Sequence, residues 1–310
     1  MPELPDVTVY VERLWDLFGR QRLERLRVAD PFVLRSVEPA PTLFSGRVLT
    51  SVSRLGKRLV LAYEGDLFMV VHLMIAGRLH RRAPGAALRG RANLAALDFP
   101  RGTIVLTEAG STRRASLHLV AGRPALVAFR RAGVDLRTAT PAAFGAILRE
   151  RNRTLKRALT DPDVTDGVGN AYSDEILHRA RLSPFRQTDS MTDAEVASLL
   201  EAGRTVLGQW IERLRAEVGD GWPENVTAFR PEMAVHGRYG KPCPVCGAPV
   251  QRIRYADNEA DYCATCQTGG RLFADRALSR LLRADWPKTL TELEERRADA
   301  ATVGDRGRMP

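Results

Sequence analysis

The N-terminus of the chain, MPELPDVTVY, places Pro2 directly behind Met1 and beside Glu3. An initiator methionine is removed readily when a small residue follows, and its removal would leave Pro2 with a free secondary amine. That amine and the neighbouring carboxylate could do chemistry. The alternative is a fixed turn before a first helix, because proline sets φ and suits helix starts. The motif alone favours the turn, so the choice depends on the rest of the chain.

A second group that could do chemistry is the set of cysteines in CPVCGAPVQRIRYADNEADYCATC. Their spacing, C-x2-C-x16-C-x2-C, is typical of two knuckles that place four thiolates tetrahedrally around one Zn²⁺. The alternatives are a redox motif, which does not come as a matched doublet at this spacing, and two fortuitous pairs. A four-thiolate site has no open coordination position, so we predict a structural zinc ion. Its ligands would be Cys243, Cys246, Cys263 and Cys266.

A third signal is the glycine-rich segment in which Gly167 and Gly169 precede Asn170 at the start of a predicted helix. Glycines let backbone amides approach a phosphate, and a helix N-terminus is positively polarised. An ordinary loop before a helix would look the same. Upstream lies a basic cluster that suits DNA phosphates but also a solvated helix face. Its residues are Arg149, Arg151, Arg153, Lys156 and Arg157.

The overall charge also favours a polyanionic partner. The 310 residues include 47 Lys and Arg against 37 Asp and Glu, a net charge of +10. Such an excess most simply indicates nucleic acid. No stretch approaches the ~18 consecutive apolar residues of a membrane span, and no signal peptide is visible, so we expect a cytoplasmic protein. The cysteines all lie between 243 and 266, which argues against a disulfide framework.

Hydrophobic periodicity predicts the elements that must position these groups. Residues 3–19 carry apolar residues at helical spacing. Residues from about 48 to 130 read as short β-strands, with hairpins around 64–66 and 100–102. This pattern indicates an antiparallel sandwich or barrel.

The second half of the chain is predicted to be mainly helical. Its longest helix, 192–218, opens with a capping box of Thr192 and Glu195. A linker carrying GDGWPEN leads to the cysteine segment. Beyond the cysteines, apolar residues at helical spacing predict a helix that packs back onto the body, or else a partner contact. They are Leu272, Leu278, Leu281, Leu282 and Trp286. The tail GDRGRMP is expected to be disordered.

Taken in order, these motifs resemble the formamidopyrimidine-DNA glycosylase / endonuclease VIII family. The matching segments are MPELP, LGKRLVL, HLMIAGRL, the arginine pair of STRRAS, LKRALTDPDVTDGVGNAYSDEIL, HGRYGKPC and the four-cysteine finger. The resemblance implies an α+β fold with four parts. These are an N-terminal β-sandwich with a leading helix (1–132), a helix–two-turns–helix domain (133–225), a zinc finger (226–269) and a C-terminal helical extension (270–310).

The resemblance also implies a reaction on double-stranded damaged DNA. A damaged base would be flipped out of the duplex, and the Pro2 amine would attack C1′ of the nucleoside and displace the base. The resulting iminium is the electron sink for strand cleavage by β- and then δ-elimination. Glu3 would act as general acid/base at the sugar ring oxygen, and Lys57 would contact the DNA at the lesion.

Three more site residues follow from the same resemblance. Asn170 and Lys156 would bind phosphates, and Glu175 would support the amine; a helix cap, a surface lysine and an ordinary helix glutamate are the alternatives. The implied cofactor is one structural Zn²⁺. The implied location is cytoplasmic and nucleoid-associated, and nothing in the sequence demands more than a monomer.

The sequence departs from the family pattern at the finger and at the N-terminus. The family presents an arginine five residues before the third cysteine, where this chain has Asn258 followed by Glu259. Arg252 and Arg254 are the hairpin residues that could bind phosphates in its place. The family motif PELPE also ends here in Asp6, a shorter carboxylate.

The residues expected to fill the gap left by the flipped base differ as well. The family uses a methionine, an arginine and a phenylalanine as wedges. The methionine position is Ile75, with Met74 just before it, and the arginine is Arg114. The phenylalanine position is Ala115, which cannot stack on the opposite base. We therefore expect altered discrimination of that base.

The segment GDGWPENVTAFRPEMAVHGR looks shorter than in members specific for 8-oxoguanine, where it covers the flipped purine. We therefore expect oxidised or ring-opened bases other than 8-oxoguanine as substrates. The leading hypothesis is a base-excision-repair DNA glycosylase with AP lyase activity. The alternative, motivated by Asn258 and Ala115, is a protein that binds damaged or abasic DNA with weak or no catalysis. A zinc-ribbon transcription or translation factor would explain the finger alone.

Overall fold

The computed structural model describes residues 1–110, 112–255, 258–273 and 286–296. The chain divides into two compact units, each built from separate stretches of sequence. Unit 1 comprises Met1–Ala143, Asp161–Gly169 and Arg204–Ala228, and unit 2 comprises Phe144–Thr160, Asn170–Gly203 and Phe229–Pro310. Among the residues described, no helix is long and apolar enough to cross a membrane.

Unit 1 opens with helix α1, Leu4–Phe18, which confirms the helix predicted for 3–19. Glu3 is its N-cap and forms a reciprocal capping box with Asp6. Pro5 lies in the first turn, where the missing N–H has no intrahelical partner to lose. One face of the helix is buried at three- and four-residue spacing by Val7, Tyr10, Leu14 and Phe18.

Eight antiparallel strands follow in unit 1. They are β1 Arg25–Val28, β2 Leu49–Leu55, β3 Arg58–Tyr63, β4 Leu67–His72, β5 Gly77–Arg82, β6 Asn93–Phe99, β7 Gly102–Glu108 and β8 Ser116–Ala121. One sheet has the order β1-β6-β7-β5 and the other β2-β3-β4-β8. The hairpins β3–β4 and β6–β7 are those predicted from the turn residues. Because the strands form two separate sheets, the sandwich is confirmed over the barrel.

A single apolar cluster joins the two sheets and the inner face of α1. Leu61 and Met69 enter it from one sheet, and Leu97 and Leu106 from the other. Alternate residues of a strand point to the same face, so β3, β4, β7 and β8 each contribute every second side chain. Short 3₁₀ helices at Pro31–Val33 and Pro41–Phe44 and helix α2, Arg123–Val127, complete the connections.

The segment expected to be a linker after the long helix is in fact held by unit 1. The Trp222 indole N–H donates to Leu79 O at 2.8 Å, and its ring lies 5.6 Å from that of Tyr10. Arg78 donates to Val226 O at 2.7 Å. A half-buried tryptophan that packs on the core and has a satisfied N–H is a packing residue, so GDGWPEN is a structural part of the sandwich unit.

The helices of the second half are α3 Pro141–Arg149, α4 Leu155–Thr160, α5 Asn170–Arg179 and α6 Asp193–Val218. The predicted capping box of α6 is present: Thr192 N–H donates to Glu195 at 3.0 Å, and Glu195 N–H donates to Thr192 Oγ1 at 3.3 Å.

The finger of unit 2 is a two-stranded hairpin, β9 Val250–Tyr255 and β10 Asn258–Cys263, followed by helix α7 Ala264–Thr268. A second apolar cluster covers it, in which Leu272 packs with Ile253 and Tyr262. Leu290 and Leu293 join this cluster. Part of the extension therefore packs back as predicted, whereas Leu278, Leu281 and Leu282 lie outside the described residues.

Candidate active site and zinc centre

The N-terminus of α1 is held by the glycine segment, within unit 1. Glu3, only 2% exposed, accepts a hydrogen bond at 2.6 Å from Gly169 N–H. Leu4 N–H donates to Gly167 O at 2.9 Å. Backbone groups of Gly167 and Gly169 therefore position Leu4 and Glu3 at the start of α1.

Close packing requires both glycines. A Cβ on Gly169 would lie 2.5 Å from Glu3 Cδ and 2.5 Å from Lys57 Nζ. Gly167 has a φ of +95°, and a Cβ there would lie 2.9 Å from Leu4 Cβ. From the sequence, these glycines were a candidate phosphate cradle or an ordinary loop before a helix. In the structure, Gly169 admits the side chains of Glu3 and Lys57, which brings a carboxylate and an ammonium to one backbone position, and Gly167 admits Leu4.

Lys57 is presented by the tight turn between β2 and β3. It follows Gly56, whose φ of +61° favours glycine. Arg54 holds this turn, because it donates to Gly56 O at 3.2 Å and to Asp166 at 2.7 Å and also pairs with Asp135. Lys57 therefore lies at the tip of a hairpin that the contacts of Arg54 stabilise.

Pro2 is buried directly before α1. The Asp6 carboxylate accepts from Glu3 N–H at 3.0 Å, so the shorter acid of this chain still reaches the helix start. Burial lowers the pKa of the Met1 α-amino group, an effect that the Glu3 carboxylate opposes. This end of the chain is an environment that favours an unprotonated amine.

His72, at the end of β4, was quoted in the HLMIAGRL motif but given no role. Burial lowers its pKa to about 4, and the charges of Arg58 and Lys57 act in the same direction. The imidazole is therefore neutral at pH 7. In the sequence, the feature that could have identified this residue is a histidine at the end of a strand whose hairpin partner begins next to the basic residues Lys57 and Arg58.

The predicted wedge residues lie on a tight turn between β4 and β5. Gly77 N–H donates to Leu73 O at 2.8 Å, and a Cβ on Gly77 would lie 2.2 Å from that oxygen. Met74 has a φ of +53°, which is uncommon for a residue with a side chain. Ile75 is 59% exposed. The turn therefore presents Ile75 to solvent.

Arg114 and Ala115 precede β8, and both their backbone N–H groups donate to the buried Glu108 carboxylate at 2.9 Å. Arg114 is exposed. Ala115 is 3% exposed and belongs to the sandwich core. The chain thus presents an arginine here and no aromatic side chain.

In unit 2, Lys156 is not a surface lysine. It is 7% exposed, and its ammonium donates to Asp174 at 2.6 Å and to Asn170 O at 2.6 Å. A buried ion pair of this kind fixes the geometry of the two helices that carry it. These contacts join α4 to the first turns of α5. They make Lys156 a residue that positions Asn170.

Asp174 continues this network into the finger. His236 Nδ1 lies 2.8 Å from Asp174, and Gly237 N–H donates to Asp261 at 2.7 Å. Arg252 binds Asp261 through two hydrogen bonds of 2.7 and 2.9 Å. Burial opposes protonation of His236, but the bond and the charge of Asp174 outweigh it and raise the pKa.

Donor atoms of Asp174, His236 and Asp261 lie within 4.8 Å of one another, as in a metal site. Lys156 and Arg252 already balance the two carboxylates. The group is therefore an ion network that holds the finger hairpin near α5. Its members are far apart in the chain, so no local sequence pattern indicates it.

Glu175 also uses its carboxylate inside unit 2. It accepts from the backbone N–H groups of Ala234 at 2.7 Å, Val235 at 2.9 Å and His236 at 3.0 Å. Burial raises its pKa, and the three donors act against that rise. The contacts assign Glu175 to holding residues 234–236, a role that the sequence analysis did not foresee.

The two arginines proposed for the finger differ in their surroundings. Arg252 is bound by Asp261 and also lies 3.2 Å from Glu259. Arg254 is exposed on the same strand. The side chain of Asn258 lies outside the described part of the chain. Arg254 is therefore the hairpin cation that faces solvent.

The four cysteines meet at one point, with all their sulfur atoms within 4.8 Å of one another. Cys243 Sγ lies 3.9 Å from Cys266 Sγ, and Cys246 Sγ lies 3.4 Å from Cys263 Sγ. Tetrahedral Zn–S bonds of about 2.3 Å require sulfurs about 3.8 Å apart. The geometry fits a zinc ion, and the predicted structural zinc site is confirmed.

Three family models match the chain in order. They describe the formamidopyrimidine-DNA glycosylase N-terminal domain (residues 1–115), the formamidopyrimidine-DNA glycosylase H2TH domain (134–219) and the zinc finger found in FPG and IleRS (240–269). The matches agree with the sandwich, the helices around α5 and the four-cysteine hairpin. The α+β fold predicted from the sequence is confirmed.

Curated relatives match over nearly their whole length. The formamidopyrimidine-DNA glycosylase of Thermus thermophilus is 38% identical over 285 residues, which cover 87% of this chain and 100% of the relative. That of Moorella thermoacetica is 34% identical and covers 82% of this chain and 95% of the relative.

Solved structures share the fold. The MutM (FPG) protein of Thermus thermophilus has a TM-score of 0.71 and 33% identity, covering 86% of this chain and 98% of that one. Lactococcus lactis Fpg with abasic-site DNA has a TM-score of 0.75 at 22% identity, covering 86% and 99%. With its site geometry, ordered domains and relatives in agreement, this chain belongs to the formamidopyrimidine-DNA glycosylase family.

Proposed function

We propose that this protein is a base-excision-repair DNA glycosylase with AP lyase activity that uses Pro2 as its nucleophile. The observation that carries the proposal is the packing of the buried Glu3 carboxylate and the Lys57 ammonium against Gly169, next to Pro2. A nucleophile needs an adjacent proton-handling group and a positive charge where negative charge develops. Titratable groups brought together by obligatory glycines form such a constellation.

In this proposal the Pro2 amine, freed by removal of Met1, attacks C1′ of the flipped nucleoside. The bond from C1′ to the base breaks, the base leaves with its electron pair, and Glu3 supplies a proton at the sugar ring oxygen. The C1′–O4′ bond of the sugar ring then breaks towards the protonated oxygen, and the amine nitrogen loses its proton as its electron pair forms the cationic iminium with C1′. That cation accepts the electrons released when the 2′-proton is removed and the 3′-phosphate leaves. An α-amino group has a lower pKa than lysine, so more of it is unprotonated near pH 7.

The remaining roles follow from exposure and contacts. Arg114, Ile75 and Arg254 are exposed and are proposed to contact DNA, with Met74 shaping the turn that presents Ile75. Asn170 is proposed to bind a phosphate at the start of α5. Lys156 and Glu175, which the sequence analysis placed at the DNA and at the amine, are reassigned as residues that position α5 and the 234–236 segment. Arg252 is reassigned in the same way, to holding the finger.

For the lesion, we propose oxidised or ring-opened bases, with 8-oxoguanine not favoured. The support is the segment anchored by Trp222, which is short for a loop that covers a flipped purine. The absence of an aromatic side chain at buried Ala115 bears instead on the base opposite the lesion. The partner is damaged double-stranded DNA. Relatives of this chain have been solved with Fapy-dG and abasic-site DNA. A monomeric, cytoplasmic and nucleoid-associated protein completes the proposal.

The test is borohydride trapping on duplexes that each carry one abasic site or one oxidised base. Wild-type protein is expected to form a covalent adduct and to nick the strand. Pro2→Gly is expected to form less adduct, because its primary α-amine gives a neutral imine in place of the cationic iminium, and Glu3→Gln is expected to lose base release while still binding. Pro41→Gly, at the start of a 3₁₀ helix of the same unit, is the matched control and is expected to behave as wild type.

A second candidate function is recognition of damage without efficient catalysis, favoured by Ala115 and by the uncharged residue Asn258 in the finger. It predicts preferential binding to abasic duplexes with no adduct and no nick. A measurable turnover on any single-lesion duplex would eliminate it. Equal trapping by wild type and Pro2→Gly would instead refute the proline mechanism.

A further inference from the structure

Helix α5 contacts the zinc centre through one buried histidine. His178 is 6% exposed and lies near the C-terminal end of α5. Its Nε2 lies 3.2 Å from Cys243 Sγ, a residue 65 positions further along the chain. The histidine is not one of the four clustered ligands, so its contact is with a ligand rather than with the ion.

The chemistry of the centre fixes the direction of this hydrogen bond. A zinc-bound cysteine is a thiolate, which has no proton to give and can only accept. His178 Nε2 must therefore carry the hydrogen and donate it to Cys243. A neutral imidazole with its proton on Nε2 meets this requirement.

Four thiolates around one Zn²⁺ leave a net charge of about −2, which N–H donors stabilise. Cys263 Sγ accepts from Cys266 N–H at 3.5 Å, and Cys246 has a backbone donor at Ala248. Those donors belong to the finger itself. The donor to Cys243 is supplied by a different element.

We propose that His178 is a positioning residue for the zinc site, whose N–H···S bond retains the metal and ties α5 to the finger. The same ten-residue helix carries Asn170 and Glu175. The zinc ion and these two residues are therefore linked through one side chain. Outer-shell partners of metal ligands commonly change metal affinity by about 10- to 100-fold when removed.

Removal of the donor is expected to leave the fold intact. Gln267 donates to Leu182 O at 3.0 Å and accepts from Cys263 N–H at 2.8 Å, which gives an independent connection from the end of α5 to the finger. His178→Phe keeps a ring in the site without an N–H. His178→Gln keeps an N–H donor near the position of Nε2.

The first experiment measures zinc release from the full chain to a chromogenic chelator and the thiolate-to-metal charge-transfer band of the Co²⁺-substituted protein. His178→Phe is expected to release zinc about 10-fold faster or more and to shift the band to lower energy. His178→Gln is expected to recover most of the wild-type rate and spectrum. His118→Phe, which alters a histidine of unit 1 packed on Phe129, is the control and is expected to change neither.

Wild-type release and an unchanged spectrum in His178→Phe would overturn the proposal. If that variant does not fold, the ¹⁵N chemical shift of Nε2 in the zinc-loaded wild type decides. A protonated Nε2 is expected, and an unprotonated one would refute the proposal. These measurements use the metal and no DNA, so their outcome does not depend on the glycosylase function proposed above.

Discussion

The carboxylate of Glu3 accepts a hydrogen bond of 2.6 Å from the backbone N–H of Gly169, although the two residues are 166 positions apart. The bond fixes the carboxylate beside Lys57, whose Nζ occupies the space where a Gly169 side chain would be. The glycine segment is therefore part of the candidate active site through its backbone.

Replacement of Gly169 by alanine tests this arrangement. The new Cβ would lie 2.5 Å from Glu3 Cδ and from Lys57 Nζ, so both groups must move. We expect single-turnover base release to fall by about 100-fold, the typical effect of a 1 Å misplacement at an active site. Gly208→Ala in α6, where no atom lies within 4 Å of the new Cβ, is the matched control. We expect it to retain activity, and equal activities of the two variants would contradict the assignment.

Substitutions of Lys156 and Arg254 are expected to differ in their effects on the stability of the protein and on the salt dependence of its DNA affinity. Lys156→Gln leaves Asp174 buried without its cation, so it should lower the free energy of unfolding by about 3–5 kcal/mol. It should leave the slope of log K against log salt for DNA binding unchanged. Arg254→Gln should reduce that slope by about 0.9 and leave stability within about 0.5 kcal/mol. Fluorescence anisotropy at several salt concentrations and urea denaturation would show whether the two residues have these roles or the reverse.

His72 makes stability depend on pH. Its pKa is lowered from 6.5 to about 4, so between these values the unfolded chain binds a proton that the folded protein does not. Stability is therefore fully present above pH 6.5 and falls as the pH is lowered towards 4. The loss from this group at pH 5 is about 2 kcal/mol.

His72→Gln removes the titrating group and should reduce the difference in unfolding free energy between pH 7 and pH 5 by that amount. Urea denaturation of both proteins at matched ionic strength is the measurement. The same pH dependence in wild type and variant would show that the pKa of the imidazole is not lowered in the folded state.

Regular elements were predictable because their signals are local. The apolar spacing of α1, the turn residues of the β3–β4 and β6–β7 hairpins and the Thr192–Glu195 capping box each lie within a few residues of sequence. The cysteine spacing predicted the zinc ligands for the same reason. Each C-x2-C pair is local in sequence, and two such pairs supply the four thiolates of a tetrahedral zinc site.

The partners of charged groups were not predictable in this way. Lys156 reads as a surface cation, and only the packing of α4 against α5 shows that Asp174 takes its charge. From the sequence, Arg252 is a candidate phosphate ligand. The strand register shows that Asp261 lies opposite it and binds its charge. The glycine at position 169 correctly indicated that another group lies close to the backbone there. The sequence does not show that this group is the pair of side chains Glu3 and Lys57.

The central claim is that the N-terminal proline is the nucleophile. Borohydride trapping on an abasic-site duplex, followed by protease digestion and mass spectrometry of the adduct, tests it most directly. We expect the N-terminal peptide to carry the DNA remnant, with Met1 absent and the added mass on Pro2. An adduct on Lys57 or another lysine, or an adduct on a chain that retains Met1, would contradict it.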